Sequence, residues 1–277
     1  MIGRLYLRFC QMLEKNKYNR ILNNGSDVYA QNALASENYD SSIIKFLSFK
    51  NGMNFLIRDG RSAAQVFNEI YLNKRYSSGK LLHSLKTANV IIDIGANIGL
   101  FTYYASQVAP DAHIYAFEAD PANYQLLQSN IKQLPQHLQQ RISTENTAVS
   151  SSLGTIPFYS SEISGWSSCF KTLGAKDGNQ IIIPAIRLSD YLTDHGIDKI
   201  DYLKISVVGA EYDILLGDKA LLEKNIRVLV IGVDLYPRDE KYQFNDLLLA
   251  LKDRFKIVNV NSTPGSYYPV ISCSCPI

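Results

Sequence analysis

The chain predicts an α/β domain built on a doubly wound, mostly parallel sheet, and three observations predict it. Apolar runs recur at residues 90–94, 114–117, 142–149, 202–205, 228–233 and 255–260, each reading as a strand buried on both faces. Segments of helical spacing separate most of them, at 99–107, 121–134, 211–216 and 245–253. The first run also ends abruptly in a glycine-bearing turn, Asp93-Ile94-Gly95-Ala96-Asn97-Ile98-Gly99. Strand and helix alternating in this way imply right-handed crossovers between parallel strands.

Elements ahead of that domain form an extension, expected over residues 1–88, with the main domain over 89–277. Residues 2–22 place Ile2, Leu5, Tyr6, Phe9, Met12 and Leu13 at helical spacing, with Arg4, Arg8, Lys15, Lys17 and Arg20 on the remaining surface. Such a basic amphipathic helix caps its own domain or meets a partner subunit, giving a homo-oligomer; peripheral contact with an anionic membrane is the alternative. Two apolar runs within 42–58 flank Asn51-Gly52, the pair that favours a type I′ turn, and predict a β-hairpin. Short helices follow around Val66, Ile70 and Tyr71 and over 78–86. Later, strand-like pieces at 155–159 and 181–186 interrupt the alternation, and 165–178, which holds Trp166, reads as a loop over a site.

With 277 residues and 46% apolar content, the chain can bury a substantial core. Its net charge of +2 comes from balanced acids and bases without a long basic stripe, which argues against nucleic acid as a partner. No run approaches the roughly 20 apolar residues of a membrane span. Arg4, Arg8 and Cys10 also break the N-terminal run as a signal peptide, so a cytoplasmic protein without a transmembrane segment is expected. Four scattered cysteines fit reduced thiols. Alternation in Cys273-Ser274-Cys275 would put two sulfurs on one face of a strand, but no histidine or second cysteine pair lies nearby in sequence, and no metal site is expected.

The glycine turn carries the first chemical signal. Gly95 and Gly99 let the chain bend sharply and open a helix whose N-terminus favours an anionic group. A dinucleotide fingerprint needs glycine where Asn97 stands, so a pyrophosphate, and with it a nicotinamide-dependent oxidoreductase, fits poorly. A ligand ending in one carboxylate and one ammonium fits better, with Asp93 attracting the ammonium; the methionine part of S-adenosylmethionine has both. Glu118 closes the second strand some twenty residues beyond the turn, a place from which an acid accepts hydrogen bonds from ribose hydroxyls. Asn123 lies in the first turn of the helix begun by Pro121, and Ala148 closes the third strand where adenine usually rests. Together with Asp93, Gly95, Ala96, Asn97, Gly99 and Ala119, these form the expected cofactor site.

With those residues in hand, the chain resembles the FkbM family of methyltransferases from about Phe55 to Val260. Arg58-Asp59-Gly60-Arg61-Ser62 with Val66-Phe67-Asn68-Glu69-Ile70 is similar to that family's leading segment. Ile92 to Phe101 resembles its cofactor turn, and Tyr115-Ala116-Phe117-Glu118-Ala119-Asp120-Pro121 its second strand. Arg187-Leu188-Ser189-Asp190-Tyr191-Leu192 and Leu203-Lys204-Ile205-Ser206-Val207-Val208-Gly209-Ala210-Glu211 resemble its later blocks. The resemblance implies a class I methyltransferase fold, Rossmann-like with a seven-stranded, mostly parallel sheet. It also implies S-adenosylmethionine as donor, and a hydroxyl on a sugar, polyketide or similar small-molecule or glycan acceptor.

Departures from the family pattern all remove negative charge. Ser206 and Val208 stand where it usually has aspartate and glutamate, Gly232 lies near a usual glutamate, and Ala63 replaces a frequent aspartate. Lys204, Glu211 and Asp234, near the carboxyl ends of the fourth and fifth strands, remain as candidate catalytic or positioning groups. A pseudoenzyme that keeps the cofactor site but serves as a binding or assembly module is the alternative. His195, between Asp194 and Gly196, reads as a surface histidine at a helix end.

Overall fold

In the computed structural model, which describes residues 12–13, 15–33, 44–58, 65–160, 167–169, 180–234, 242–261 and 269–276, the six apolar runs and a C-terminal strand assemble into one seven-stranded sheet. A helical stretch over 15–21 leads into helix α1 (Gly25–Ala33) and the antiparallel hairpin β1 (Ile44–Ser48) and β2 (Asn54–Arg58). One π-helical turn (Asn68–Leu72) and α2 (Lys80–Lys86) precede the main domain. There the order is β3 (Val90–Ile94), α3 (Leu100–Val108), β4 (His113–Phe117), α4 (Pro121–Ile131), α5 (Gln136–Gln139), β5 (Ile142–Glu145) and β6 (Ala148–Val149). Next come β7 (Gly154–Tyr159), β8 (Gln180–Ile186), α6 (Leu188–Asp194), β9 (Lys199–Ile200) and β10 (Tyr202–Ser206). A π-helical segment (Asp213–Gly217), α7 (Lys219–Glu223), β11 (Asn225–Ile226), β12 (Val228–Gly232), α8 (Phe244–Arg254), β13 (Phe255–Asn261) and β14 (Val270–Pro276) complete the chain.

Across the main sheet the strands run β13-β14-β12-β10-β3-β4-β5, with β14 antiparallel to both neighbours and the β12 to β5 pairings parallel. This is the class I methyltransferase arrangement. Its order reverses at β3, so a crevice opens beyond the carboxyl ends of β3, β4 and β10.

Successive residues of each central strand feed opposite cores. Ile91, Ile114, Tyr202, Val228 and Val230 pack on one side, while Ile92, Leu203, Ile205, Leu229 and Ile231 pack on the other. The described part of the extension joins the first core: Tyr18, Leu22, Leu47, Phe49, Phe55 and Phe67 are buried with Phe101 and Tyr103 of α3. Phe49 and Phe55 hold the Tyr103 ring at 5.1 and 5.5 Å.

Several elements differ from the sequence expectation. The hairpin loop is one residue longer than a type I′ turn: Phe49 N–H donates to Met53 O at 2.7 Å, and of the three loop residues Gly52 alone has a positive φ, 88°. That is the three-residue hairpin loop, in which one left-handed residue suffices. The run at 142–149 is two strands. Asn146 turns its side chain onto the carbonyls of Glu118 and Ala119, at 2.9 and 3.3 Å, so the chain leaves the sheet and β6 pairs with β8 instead. The segment at 211–216 is mostly π-helical rather than α-helical. The C-terminal residues form β14, and Cys275 adopts φ 58°, which breaks the alternation: Cys273 is buried and Cys275 exposed, not on one shared face. Of the helix expected over 2–22, residues 2–11 and 14 lie outside the described residues, as do Ala63, Trp166 and most of the 165–178 loop. No helix among the described residues is long and apolar enough to cross a membrane.

Candidate functional site

The glycine turn joins β3 to α3 and forms the floor of the crevice. Gly95 has φ 74°, and a Cβ there would stand 2.1 Å from the Ser206 carbonyl oxygen, so only glycine lets the turn lie against the end of β10. Gly99, with φ 92°, faces Leu127 in the same way: a Cβ would meet its Cδ1 at 2.5 Å. Asn97 is itself left-handed (φ 53°), and its Oδ1 accepts from the Ile98 amide at 2.7 Å, a local bond that makes asparagine tolerable there.

Every amide of the turn has a partner within the chain. Gly95 and Ala96 donate to Phe117 O, Asn97 donates to Glu118 Oε2, Ile98 to Asn97 Oδ1 and Gly99 to Ala96 O. The amides of Gly95, Ala96 and Asn97 thus stitch the turn to the end of β4, and those of Ile98 and Gly99 close on the turn itself. Asp93 is engaged likewise. It lies fully buried beneath the turn, its Oδ1 accepting from Lys204 Nζ at 2.7 Å and its Oδ2 from the Thr102 hydroxyl at 2.7 Å. An ammonium does bind Asp93, but it is that of Lys204, which also donates to Gly95 O at 2.9 Å.

Glu118 stands opposite the turn at the end of β4. Oε2 takes the Asn97 amide at 2.6 Å and Oε1 the Asp120 amide at 3.0 Å, so turn and acid form one continuous wall. Burial pushes its carboxyl up to about 7, and the two amides pull the other way. The Asn123 side chain also donates to this carboxyl, which as a carboxylate still has acceptor capacity beyond these three bonds. Asp120 caps α4, its Oδ1 accepting from the amides of Ala122 and Asn123, while its Oδ2 accepts from the hydroxyls of Ser160 and Ser167. That aspartate therefore ties the β7 end and the segment before Ser168 to the same wall.

These elements line an open pocket with about 640 Å³ of empty space, part of it continuous with solvent. Of the sequence-predicted cofactor residues, Gly95, Asn97, Glu118, Ala119, Asn123 and Ala148 line it; Asp93, Ala96 and Gly99 lie behind the wall. Phe158, Ser168, Cys169 and Ser206 line it as well, and the sequence reading had assigned none of them to the cofactor. The Asp-Pro pair at 120–121 is a helix-start signature that would have pointed to Asp120. Nothing in the local sequence pointed to Phe158 or Cys169, which the small β6-β8-β7 sheet and its neighbouring segment bring in.

Lys204, Glu211 and Asp234 are all buried, and none lines the pocket. Glu211 Oε1 accepts from the Asp234 amide at 2.5 Å, and the Asp234 carbonyl accepts from the Tyr212 hydroxyl at 2.7 Å. Burial pushes the Glu211 carboxyl up to about 8, so it is mostly protonated at neutral pH. The sequence brings these three near the strand ends, but their described contacts hold strands and turns together.

Residues 93–256 match the family model of the methyltransferase FkbM domain, a narrower span than the resemblance from Phe55 to Val260 implied. The chain belongs to the FkbM methyltransferase family. Among curated relatives, it is 30% identical to methyltransferase sdnD of Sordaria araneosa, over 55% of this chain and 67% of that protein. It is 27% identical to 31-O-demethyl-FK506 methyltransferase FkbM of Streptomyces tacrolimicus, over 70% of this chain and 83% of that one. The crystal structure of methyltransferase FkbM from Methylobacillus flagellatus KT superposes with a TM-score of 0.47 at 17% identity, covering 67% of this chain and 43% of that chain.

Proposed function

We propose that this FkbM-family methyltransferase uses S-adenosylmethionine and methylates a hydroxyl of a sugar, polyketide or related metabolite. The observation that carries the reading is Glu118: an acid at the end of β4, 6% exposed, on the pocket wall and bonded to the turn through Asn97. Glycines that leave no room for a Cβ at Gly95 and Gly99, and a pocket lined by apolar side chains with a few polar groups, support the fit. When bound, S-adenosylmethionine supplies a methyl group made electrophilic by its sulfonium. Glu118 would hold the ribose hydroxyls, Asn123 and Ala148 would border the adenine, and Gly95 with Asn97 would border the amino-acid end. The O-methylating activity named for the Streptomyces tacrolimicus relative supports a hydroxyl acceptor.

Positioning, rather than a strong base, is the contribution these residues are built to make. Holding acceptor and donor in line is worth about 7 to 11 kcal/mol. A general base contributes about 10² to 10⁴ in rate, or roughly 3 to 5 kcal/mol. Lys204 is engaged by Asp93, and Glu211 is mostly neutral, so both serve by fixing the strand ends. Calorimetric titration with S-adenosylmethionine and S-adenosylhomocysteine tests the reading. Both ligands are expected to bind, and Glu118→Ala is expected to weaken both at least tenfold, as loss of hydrogen bonds to a charged group does. Failure of either to bind the wild-type protein would sink the proposal. Binding without transfer to any hydroxyl acceptor would instead favour the binding-module alternative.

A further inference from the structure

Two distant parts of the chain, Arg75-Tyr76 and Ser206, bring three hydrogen-bonding groups beside Gly232, at the carboxyl end of β12. A Cβ built there would stand 3.0 Å from the Tyr76 hydroxyl and 3.7 Å from both Arg75 Nη2 and Ser206 Oγ. Tyr76 Oη and Ser206 Oγ are hydrogen-bonded at 2.9 Å, and Ser206 lines the pocket, so the cluster adjoins the candidate site.

The cluster is held in place before any ligand arrives. The Tyr76 carbonyl accepts from the buried Tyr202 hydroxyl, and Ser77 Oγ donates to Tyr104 Oη at 3.1 Å. The Arg75 side chain is 6% exposed, and its Nη1 donates to Glu69 Oε1 at 3.2 Å, which orients the guanidinium with Nη2 toward Gly232. Two cations flank the Tyr76 ring, Lys204 Nζ at 5.5 Å and Arg75 Cζ at 5.6 Å from its centroid. The bordering residues at the strand ends, Ser206, Val207, Gly232 and Val233, carry no charge.

We propose that Arg75, Tyr76 and Ser206 form an acceptor subsite for a carboxylate, so that the acceptor is an acidic metabolite whose carboxylate lies beside the hydroxyl to be methylated. The last clause rests on the methyl-transfer reading above; the subsite itself does not. The Arg75 guanidinium and the one hydroxyl hydrogen that the Tyr76–Ser206 bond leaves over match the two oxygens of a carboxylate with charge-assisted bonds. A site built to hydrogen-bond one group also discriminates strongly against an analogue that lacks it.

The test is a ligand-observed NMR titration of two probe pairs, D-glucuronate against D-glucose and benzoate against benzyl alcohol, into the free protein and the S-adenosylhomocysteine-saturated protein. Each carboxylate is expected to bind roughly tenfold or more tightly than its neutral partner, as hydrogen bonds to a charged group predict. Arg75→Gln and Tyr76→Phe should erase most of that preference while leaving S-adenosylhomocysteine affinity near wild type, and Tyr76→Phe, which breaks no ion pair, should also leave the thermal midpoint near wild type. Should Arg75→Gln fail to fold, Gly232→Glu gives an independent reading, because it supplies the cluster with a carboxylate of the chain's own and should block the probes. Equal binding of acid and alcohol, no binding of either acid, or a preference that survives both Tyr76→Phe and Gly232→Glu would overturn the subsite. If the protein fails to bind S-adenosylhomocysteine, the methyltransferase reading falls separately, since the free-protein titration still reads the subsite.

Discussion

Glu118 is pulled in two directions: burial favours its neutral form, and the amides of Asn97 and Asp120 favour the carboxylate. Its folded-state value, about 7, lies above the ordinary 4.5, so between those values the folded protein binds more protons than the unfolded chain. The carboxyl therefore contributes a loss of stability as pH rises through that window. A ligand that donates hydroxyls to this group reverses the balance, because donors stabilise the charged form. S-adenosylhomocysteine affinity should accordingly rise from about pH 6 to about pH 8 and then level off, with a proton released on binding near neutrality. Calorimetry in buffers of different ionisation heats measures that proton directly; an affinity flat across this range would show that Glu118 does not hold the ligand. The place of Glu118 at the end of the second strand was legible in the sequence, because the apolar run before it and the helix start after it are local signals. The role of Asp93 was misread because its partner, Lys204, lies 111 residues away, and only the parallel pairing of β3 with β10 brings the two together.

At the scale of elements, the glycine turn is held from three sides: by β4 through Phe117 O, by Glu118, and by Lys204 on β10. Lys204→Met would leave Asp93 fully buried with one bond, to Thr102. Breaking a buried pair on one side typically costs about 3 to 5 kcal/mol. The variant should lose that much in urea denaturation, and adding Asp93→Asn should recover part of it; a loss under about 1 kcal/mol would mean the pair does not hold the turn. Strand positions and the turn were readable because apolar runs and glycines act locally. The split of 142–149 into β5 and β6 was not, since Asn146 acts through its bonds to the β4 end, which a one-dimensional pattern does not show. For the same reason Tyr76 and Arg75 escaped notice: they meet Ser206 and Gly232 only in the folded chain.

Over the whole molecule, the extension expected over 1–88 supplies Phe49, Phe55 and Phe67 to the core that also holds Phe101 and Tyr202. Arg75 and Tyr76 come from the same part of the chain, so under the two proposals above it would furnish the acceptor side while the sheet would furnish the cofactor side. The order β13-β14-β12-β10-β3-β4-β5 places these two sides at the carboxyl ends of neighbouring strands. Sequence alone indicated the sheet but not this division of labour, which depends on how the extension packs against α3. The most direct test of the account is a crystal structure with S-adenosylhomocysteine bound. The account predicts its ribose hydroxyls on Glu118 and its sulfur facing Ser206 at the end of β10; a ligand elsewhere, or a pocket closed by the chain's own side chains, would contradict it.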